Sequence, residues 1–374
     1  MMNFALVKFR YKKDVRALLR QIKEYKLSSI YQLNLMRYIL IASPNEMVGL
    51  HLPQLTIVEH ELFEWAKSEI EQSVEFIRYE SHSNHIENGR VWISPTGLAI
   101  RRTFEGLGEI FAILNYTADS FSDGGTYNTL AHAEQRILEL IAHGAAVVDI
   151  GVESTRPGAT KLTFEEEIRQ LTPLLSILEK LKITHNFLVS IDTYHKETVL
   201  WLNDKNIDFI NDVSGNLPID VVKGCIESGK QYIAMHSLSV PASYEHILDV
   251  HTNPISYLSK WWINKAYQFD ENNIDLSKVI FDPGIGFGKN NAQAWYIINN
   301  IHFLNNLEVA ILLGHSRKSF IKHVLPLEPN ERDEATNLIT GLLINQVDYL
   351  RIHEIVNLKN TVSVLNHVQN LKKR

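Results

Sequence analysis

Polar side chains follow short apolar runs at eight places between residues 110 and 353 of this 374-residue chain. Each run is typical of a buried strand, and α/β enzymes commonly bind their substrates where such strands end. One strand-end residue is often only the cap of the next helix, but eight in succession indicate a site. The strand-end residues are, in order, Asn115, Asp149 with Glu153, Asp192, Asn211 with Asp212, His236, Asp282, Ser316 with Lys318, and Arg351 with His353.

Part of this set is suited to a flat, nitrogen-rich ring. Asp192, Asn211 and Asp282 offer hydrogen-bond donors and acceptors, and Lys318 adds a cation. A carboxylate that accepts two parallel N–H bonds from a guanidine-like ring edge recognises a planar group with the help of charge. The alternative is that any one of these aspartates only caps the helix that follows it.

Another part is suited to an anion. Arg351 and His353 are two residues apart on the last predicted strand, so their side chains share a face. Residues 282–289, DPGIGFGK, resemble a phosphate-binding glycine loop but lack the GK[ST] ending of a nucleotide P-loop. A pyrophosphate bound near Asn115 would normally need Mg²⁺, held mostly by substrate and water oxygens.

Residues 113–125, ILNYTADSFSDGG, join the first predicted strand to a loop rich in side-chain oxygens. A loop of this composition directly after a buried strand favours a functional role. The alternative is a turn followed by the cap of a helix that begins near Asn128.

The elements that would position these residues alternate regularly. Amphipathic stretches of helix length separate the apolar runs, and Thr163 with Glu166 fits a capping box. Eight strand–helix units over roughly 265 residues are typical of a (β/α)8 TIM barrel, with an open, doubly wound sheet as the alternative. The predicted strands are Ile110–Leu114, Val147–Ile150, Phe187–Ile191, Phe209–Ile210, Tyr232–Met235, Val279–Phe281, Ala310–Leu313 and Tyr349–Ile352.

The first hundred residues have a different pattern. We predict that residues 1–103 form a mostly helical accessory domain of unknown role and that residues 104–374 form the barrel. Apolar spacing indicates helical segments in Val15–Met36 and a helix over Glu59–Arg78. His82 and His85 lie in a polar loop without a carboxylate cluster, which is more typical of solvated residues than of metal ligands.

Composition argues against several classes of protein. A net charge of −6 gives no sign of a nucleic-acid-binding face. The single cysteine, Cys225, cannot form an internal disulfide, which favours a reducing compartment and predicts a cytoplasmic protein. No stretch approaches the ~20 apolar residues of a membrane span, and the amino terminus lacks the apolar core of a signal peptide.

Eight separate segments between Ile110 and Val356 resemble those of the dihydropteroate synthase family, in the family's order. They are NYTADSFSDGG, VVDIGVESTRPGA, SIDTY, INDVSG, MHS, FDPGIGFGK, GHSRKSF and LRIHE. The resemblance implies a transferase that condenses 6-hydroxymethyl-7,8-dihydropterin diphosphate with 4-aminobenzoate to give 7,8-dihydropteroate and pyrophosphate. We also expect a homodimer.

The same resemblance assigns residues to each substrate. Pterin contacts are implied for Asp192, Asn211, Asp282, Lys318 and Arg351. Pyrophosphate contacts are implied for Asn115, Arg351 and His353, with Asn115 also a ligand of Mg²⁺. Contacts with 4-aminobenzoate are implied for Thr155, Arg156, Pro157, Phe287 and Ser319. Catalysis is assigned to Asn115, Lys318, Arg351 and His353.

Four residues depart from the family's pattern. Ala118 stands where the first loop usually has proline, and Val152 replaces a usual glycine, which would strain a left-handed backbone. Ser237 stands where Met or Asn is common, and Glu354 replaces the usual aspartate. Two alternatives therefore stay open, a non-catalytic pterin-binding paralogue and a pterin-dependent methyltransferase-like protein. The SRK segment and the two loops argue against the second.

Overall fold

The computed structural model describes residues 3–8, 29–34, 37–42, 55–56, 90–93, 99–102, 108–116, 130–154, 161–243, 245–304, 309–358, 360–364 and 367. The chain divides into two compact units. The larger comprises Gly106–Pro254, Gln268–Ile301 and Val309–Arg374, and the smaller comprises Met1–Glu105, Ile255–Tyr267 and His302–Glu308. The predicted division between residues 103 and 104 stays a prediction.

Six short strands lie in the region before residue 103. They are β1 (Asn3–Lys8), β2 (Ser29–Asn34), β3 (Arg37–Ala42), β4 (Leu55–Thr56), β5 (Arg90–Ile93) and β6 (Ala99–Arg102). The first four form a sheet in the order β2-β3-β1-β4, and β5 pairs with β6 in antiparallel orientation. All described residues of this region therefore belong to strands.

The helical segments predicted for Val15–Met36 are wrong over Ser29–Asn34, which forms strand β2. Its backbone pairs in antiparallel orientation with β3, with Tyr31 opposite Ile39. This pairing outweighs the helix-like spacing of the apolar residues, because β-branched and aromatic side chains fit a sheet surface well. Three other predictions fall outside the described residues: the helix over Glu59–Arg78 and the loop residues His82 and His85.

Eight parallel strands of the larger unit form a closed barrel in sequence order. The last strand pairs with the first, with Arg351 opposite Phe111, which confirms the predicted (β/α)8 barrel and excludes the open sheet. The strands are β7 (Glu109–Asn115), β8 (Val147–Gly151), β9 (Leu188–Asp192), β10 (Phe209–Asp212), β11 (Gln231–Met235), β12 (Val279–Asp282), β13 (Ala310–Leu313) and β14 (Tyr349–Ile352).

Helices follow the barrel strands along the chain. The predicted capping box is present, since the Thr163 hydroxyl accepts from the Glu166 amide at 3.3 Å and the Glu166 carboxylate accepts from the Thr163 amide at 2.9 Å. The helices are α1 (Leu130–Ala142), α2 (Phe164–Thr184), α3 (Lys196–Leu202), α4 (Ile219–Glu227), α5 (Pro254–Glu271), α6 (Asn291–Asn299), α7 (Ile301–Leu304) and α8 (Asp333–Leu343). None of the described helices has both the length and the apolar content to cross a bilayer.

One apolar cluster fills the barrel and fixes where the polar residues lie. Its members come from six strands and are Phe111, Val147, Phe209, Ile233, Ile280 and Leu312. Side chains alternate along a strand, so a residue two positions further on shares the same face. Polar residues therefore follow apolar ones on the inner face, as in the pairs Val147 and Asp149, Phe209 and Asn211, and Ile280 and Asp282.

Candidate active site

The carboxyl ends of all eight parallel strands meet on one face of the barrel, which is where the predicted site residues gather. Asn115, Asp192 and Asp282 are the last residues of their strands. Asn211 and Arg351 are the next-to-last residues of theirs, and Lys318 and His353 lie in the segments that follow β13 and β14. The sequence thus predicted the location of each of these residues within the barrel.

Arg351 lies between two carboxylates. Its Nε donates to Asp149 Oδ2 at 2.5 Å, and its Nη2 donates to Asp192 Oδ2 at 2.6 Å. Asp149 is fully buried, and the Asp192 side chain is nearly so. Charge-assisted bonds of this length orient the plane of the guanidinium, so Arg351 is held by strands β8 and β9 although it belongs to β14.

Burial and the neighbouring charges both shift the pKa values of Asp192 and Arg351. Burial raises the pKa of Asp192 to about 7, although the Arg351 guanidinium lowers it and Asp149 adds to the increase. Burial alone would lower the pKa of Arg351, but the carboxylates of Asp149 and Asp192 more than offset this and raise it. Arg351 therefore remains a cation, whereas Asp192 can gain or lose a proton near neutral pH.

Asn211 joins this cluster through Asp149. Its Nδ2 lies 3.4 Å from Asp149 Oδ1, and its side chain is buried. The neighbouring Asp212 serves the fold instead, since it accepts bonds from the Tyr232 hydroxyl at 2.6 Å and the Ser214 amide at 2.8 Å. Of the two adjacent strand-end residues, only Asn211 is a candidate for ligand contact.

A tight glycine turn holds Asp282. The amide of Gly284 donates to Asp282 Oδ1 at 2.7 Å, and burial raises the pKa of Asp282. Gly284 has a φ of +65°, and a Cβ there would come within 2.0 Å of the His236 carbonyl oxygen. Only glycine fits this close approach, so the DPG segment fixes the carboxylate at the end of β12.

Lys318 lies across the same turn. Its Nζ donates to the Ile285 carbonyl oxygen and lies 4.8 Å from the centre of the Phe287 ring. Burial lowers the pKa of Lys318 to about 8, and the Asp282 carboxylate opposes that shift. Ser319, the next residue, is exposed. Phe287, Lys318 and Ser319 thus belong to one part of the barrel mouth.

His353 is held by the segment that follows β13. Its backbone amide donates to Ser316 Oγ at 3.2 Å, and its Nδ1 lies 3.0 Å from the same oxygen.

The segment after β13 contains an unusual backbone conformation at Arg317. Arg317 adopts a φ of +58° and forms a two-bond ion pair with Asp333 at 2.6 and 2.7 Å. This ion pair stabilises a backbone conformation that is rare for a residue with a side chain.

Asn115 is exposed at the end of β7 and offers one neutral oxygen. A Cβ at Gly151 would lie 3.8 Å from Asn115 Oδ1 and 3.7 Å from Asp192 Oδ2, so both side chains flank that glycine. The carboxylates of Asp149 and Asp192 are engaged by Arg351. This donor set fits a Mg²⁺ ion that takes most of its ligands from substrate and water, and does not fit an all-protein metal cage.

A second polar cluster lies between the ends of β8 and β9, and the sequence assigned it no role. The Glu153 carboxylate accepts from the Tyr194 hydroxyl at 2.5 Å and lies 3.0 Å from His195 Nε2, while Glu167 accepts from the Thr193 hydroxyl at 2.8 Å. Glu153, Glu167 and His195 are close enough to hold a metal ion. Thr193, Tyr194 and His195 already provide hydrogen-bond partners for the two carboxylates, which fits a support for the segment after β8.

The predicted loop residues and the residues that depart from the family's pattern are only partly covered by the described residues. Thr155, Arg156 and Pro157, and the departure Ala118, lie outside the described residues. Val152 is buried, and the only described residues other than glycine with a positive φ are Asn273 and Arg317. Val152 therefore carries no left-handed strain. The Glu354 carboxylate accepts from two backbone amides, those of Val356 and Asn357, and caps the turn after β14.

The sequence identified Asp149 as a strand-end residue but gave it no role in the site. Its position on the inner face of β8 was visible from the alternation of side chains. Its partners were not, since Asn211 and Arg351 are 62 and 202 residues away. Asp149 is the most deeply buried acid of the group that contacts Arg351.

A closed (β/α)8 barrel with acids, an amide and two cations at the carboxyl ends of its strands is an enzyme architecture. The sequence profile described as "pterin binding enzyme" matches residues 111–353. The chain is also 34% identical over 250 residues to the dihydropteroate synthase of Clostridium beijerinckii, which covers 66% of this chain and 89% of that protein. The chain belongs to the pterin-binding enzymes and, within them, to the dihydropteroate synthase family.

Solved structures of the same family share the fold. The dihydropteroate synthase of Anaplasma phagocytophilum, with bound 6-hydroxymethylpterin monophosphate, is 30% identical with a TM-score of 0.63, over 70% of this chain and 100% of that chain. The dihydropteroate synthase of Xanthomonas albilineans, with 4-aminobenzoic acid, is 28% identical with a TM-score of 0.62, over 74% of this chain and 98% of that chain.

Proposed function

We propose that this chain condenses 6-hydroxymethyl-7,8-dihydropterin diphosphate with 4-aminobenzoate, giving 7,8-dihydropteroate and pyrophosphate. The observation that carries the proposal is the position of Arg351, held by Asp149 and Asp192 at the barrel mouth, with Asn211 in the same network. Family membership supplies the reaction, and this cluster supplies groups that match a polar, flat ring with an anionic substituent.

The pterin ring would be held by hydrogen bonds on its polar edges. The buried Asp282 and the nearly buried Asp192 are acceptors for ring N–H groups, and Asn211 offers both an acceptor and a donor. Lys318 can donate to a ring oxygen or nitrogen, because its Nζ lies close to the glycine turn that carries Asp282. Arg351 would lie against the ring and its methylene group.

The diphosphate would be held where Arg351 and His353 share a face of β14 and its extension. Both provide N–H donors for the negative charge that develops on the leaving pyrophosphate. Mg²⁺ bound by Asn115 Oδ1 and by phosphate oxygens would supply further charge neutralisation there. The exposed position of Asn115 supports this assignment.

The reaction that suits these groups is dissociative. The bond between the pterin methylene carbon and the diphosphate oxygen breaks, and pyrophosphate leaves with the electron pair. The electron-rich pterin stabilises the cationic methylene, and the lone pair of the 4-aminobenzoate amine forms the new C–N bond before the nitrogen loses a proton. Arg351 and His353 stabilise the leaving group, so much of the catalysis is electrostatic.

The 4-aminobenzoate site is proposed at Phe287 and Ser319, beside Lys318. The Phe287 ring offers an apolar surface for the benzoate ring, and the exposed Ser319 offers a hydroxyl. Thr155, Arg156 and Pro157 complete this part of the proposal by resemblance.

A homodimer and a cytoplasmic location also belong to the proposal. Leu338 and Leu342, one turn apart on α8, are 73% and 70% exposed, which supports an apolar contact between two copies of the chain. The single buried cysteine, Cys225, supports a reducing compartment. Light scattering of the purified protein measures its oligomeric state, and a monomeric mass would contradict the proposed homodimer.

The experiment that tests the reaction follows pyrophosphate release by purified protein with Mg²⁺ and both substrates. We expect release that depends on each substrate. Absence of release together with intact pterin binding would contradict the proposed reaction and support a non-catalytic paralogue. Transfer of a folate methyl group instead would support a methyltransferase-like protein.

A further inference from the structure

Asp149 is fully buried, yet it contacts two residues of the proposed pterin site. We propose that Asp149 is a positioning residue that holds the Arg351 guanidinium and the Asn211 amide in the orientations that receive the pterin. The inference rests on the proposed function for the identity of the ligand. Asp149 has no exposed surface with which to touch that ligand itself.

Asp149 fixes the direction of Arg351. The Nε edge of the guanidinium points to Asp149 at 2.5 Å, and the Nη2 group points to Asp192 at 2.6 Å. These two contacts lie on different nitrogens, so together they prevent rotation of the guanidinium plane. The described residues provide no acceptor for the third nitrogen, Nη1, which leaves its N–H groups available to a ligand.

Asp149 also fixes which end of the Asn211 amide faces the ligand. Asp149 Oδ1 accepts its hydrogen bond from the side-chain amide of Asn211. The Asn211 NH₂ group must therefore be the end that lies 3.4 Å from Asp149 Oδ1. The carbonyl oxygen is left free to accept an N–H bond from a ring edge. Without Asp149 the Asn211 amide can rotate by half a turn and present its NH₂ group to the N–H groups of the ring.

Asp149 also keeps the Asp192 carboxylate available for hydrogen bonds to the ligand. One cation, Arg351, is shared between two acids. If Asp149 lost its charge, the guanidinium could move fully onto Asp192 and occupy the oxygens that would accept the ring N–H groups. The charged groups that act on Asp192 include Arg351, Asp149, Glu167, Asp212 and Lys318. Asp149 is the one among them that also binds Arg351 through Nε.

Asp149 connects strands that are not its neighbours in the barrel. Its backbone lies opposite Ile113 on β7 and Ser190 on β9, so its position on the inner face is set by the barrel. Its carboxylate is engaged by side chains of β10 and β14. A residue that only stabilised the barrel would not be expected to control ligand affinity and its pH dependence together.

The test compares Asp149→Asn with a matched control, Asp208→Asn. Asp208 also pairs with a cation, Lys182 at 2.7 Å, and accepts from the Val189 amide at 2.7 Å, but it precedes β10 at the opposite end of the barrel. The probe is 6-hydroxymethylpterin monophosphate, titrated into the full-length proteins across neutral pH. Circular dichroism establishes that both variants are folded.

We expect Asp149→Asn to weaken pterin binding by about tenfold to a hundredfold. We also expect the acidic limb of its binding profile to move to lower pH, because loss of the neighbouring negative charge lowers the pKa of Asp192. Asp208→Asn should bind as the wild type does at every pH. The inference would be overturned if Asp149→Asn is folded, binds the pterin with wild-type affinity and has an acidic limb at the same pH as the wild type.

A neutron structure of the wild type with the same pterin provides a second test that needs no variant. The nuclear positions should show the Asn211 NH₂ group facing Asp149 and Arg351 Nε still bonded to it. An inverted amide, or an Arg351 that has left Asp149, would overturn the inference. A wild type that binds the pterin but forms no product contradicts the proposed reaction alone, since the role of Asp149 concerns binding.

Discussion

Arg351 Nη2 lies 2.6 Å from Asp192 Oδ2, so a cation from the last barrel strand faces a carboxylate at the end of the third. Despite this contact, burial raises the pKa of Asp192 to about 7. The Arg351 charge is also shared with Asp149, which leaves Asp192 only partly compensated. Ligand binding and protonation should therefore compete at Asp192.

Pterin affinity should strengthen as the pH rises through about 7. The raised pKa means that Asp192 is protonated below this value and ionised above it, and only the carboxylate accepts two ring N–H bonds. Calorimetry in two buffers of different ionisation enthalpy should also detect proton release on binding at slightly acidic pH. Asp192→Asn is the control, with weak binding that does not change over this range. Wild-type affinity that is flat from acidic to alkaline pH would refute this assignment.

Activity should fall on the alkaline side at about pH 8, where Lys318 loses its proton. The charged form of Lys318 is its low-pH form, and burial lowers its pKa, so the charge is lost at a lower pH than in a free lysine. Combined with the acidic limb from Asp192, kcat/KM should be bell-shaped with a narrow maximum. Lys318→Arg keeps its charge at high pH and should lose the alkaline limb. An alkaline limb that is unchanged in Lys318→Arg would mean that the titration of another group causes it.

Gly284→Ala should be far more damaging than Gly144→Ala. Both glycines have a positive φ, but a Cβ at Gly284 would meet the His236 carbonyl oxygen at 2.0 Å, whereas a Cβ at Gly144 meets nothing within 4 Å. We expect a loss of about 1 kcal/mol for Gly144→Ala from backbone strain alone. We expect about 3 kcal/mol or more for Gly284→Ala, with loss of pterin binding. Urea unfolding measures both, and equal losses would contradict the described packing.

Removal of Mg²⁺ with a chelator should weaken binding of the pterin diphosphate by about tenfold or more, because phosphate oxygens supply most of the metal ligands. Binding of the unphosphorylated pterin should not change. Asn115→Ala should show the same selective loss, since Asn115 Oδ1 is the protein oxygen proposed for the metal. Diphosphate binding that is insensitive to both changes would exclude this metal site.

The barrel could be predicted because each of its strands is a short apolar run with a polar residue near or just after its carboxyl end. Strand β8, for example, reads VVDIG and carries Asp149 between buried apolar residues. Repetition of this pattern eight times outweighs the ambiguity of any one run. Strand β2 offered no such repetition, so the spacing of Ile30, Leu33 and Leu35 was consistent with a helix while the backbone pairs as a strand.

The location of the site residues could be predicted, but their pairing could not. Arg351 was placed at a strand end from its neighbours in sequence, whereas its bond to Asp149 spans 202 residues. The glycine turn after Asp282 illustrates the same limit. The sequence indicated a glycine-rich loop there, while the close approach of Gly284 to the His236 carbonyl oxygen arises only when β11 and β12 are adjacent.

The central claim is tested most directly with 4-aminobenzoate labelled with ¹⁵N at the amine. Purified protein, Mg²⁺ and the pterin diphosphate are incubated with the labelled substrate, and the products are analysed by mass spectrometry. We predict 7,8-dihydropteroate that carries the label, formed in equal amount to the pyrophosphate released. Pyrophosphate release without a labelled pterin product would mean that water captures the methylene cation. That result would contradict synthase activity.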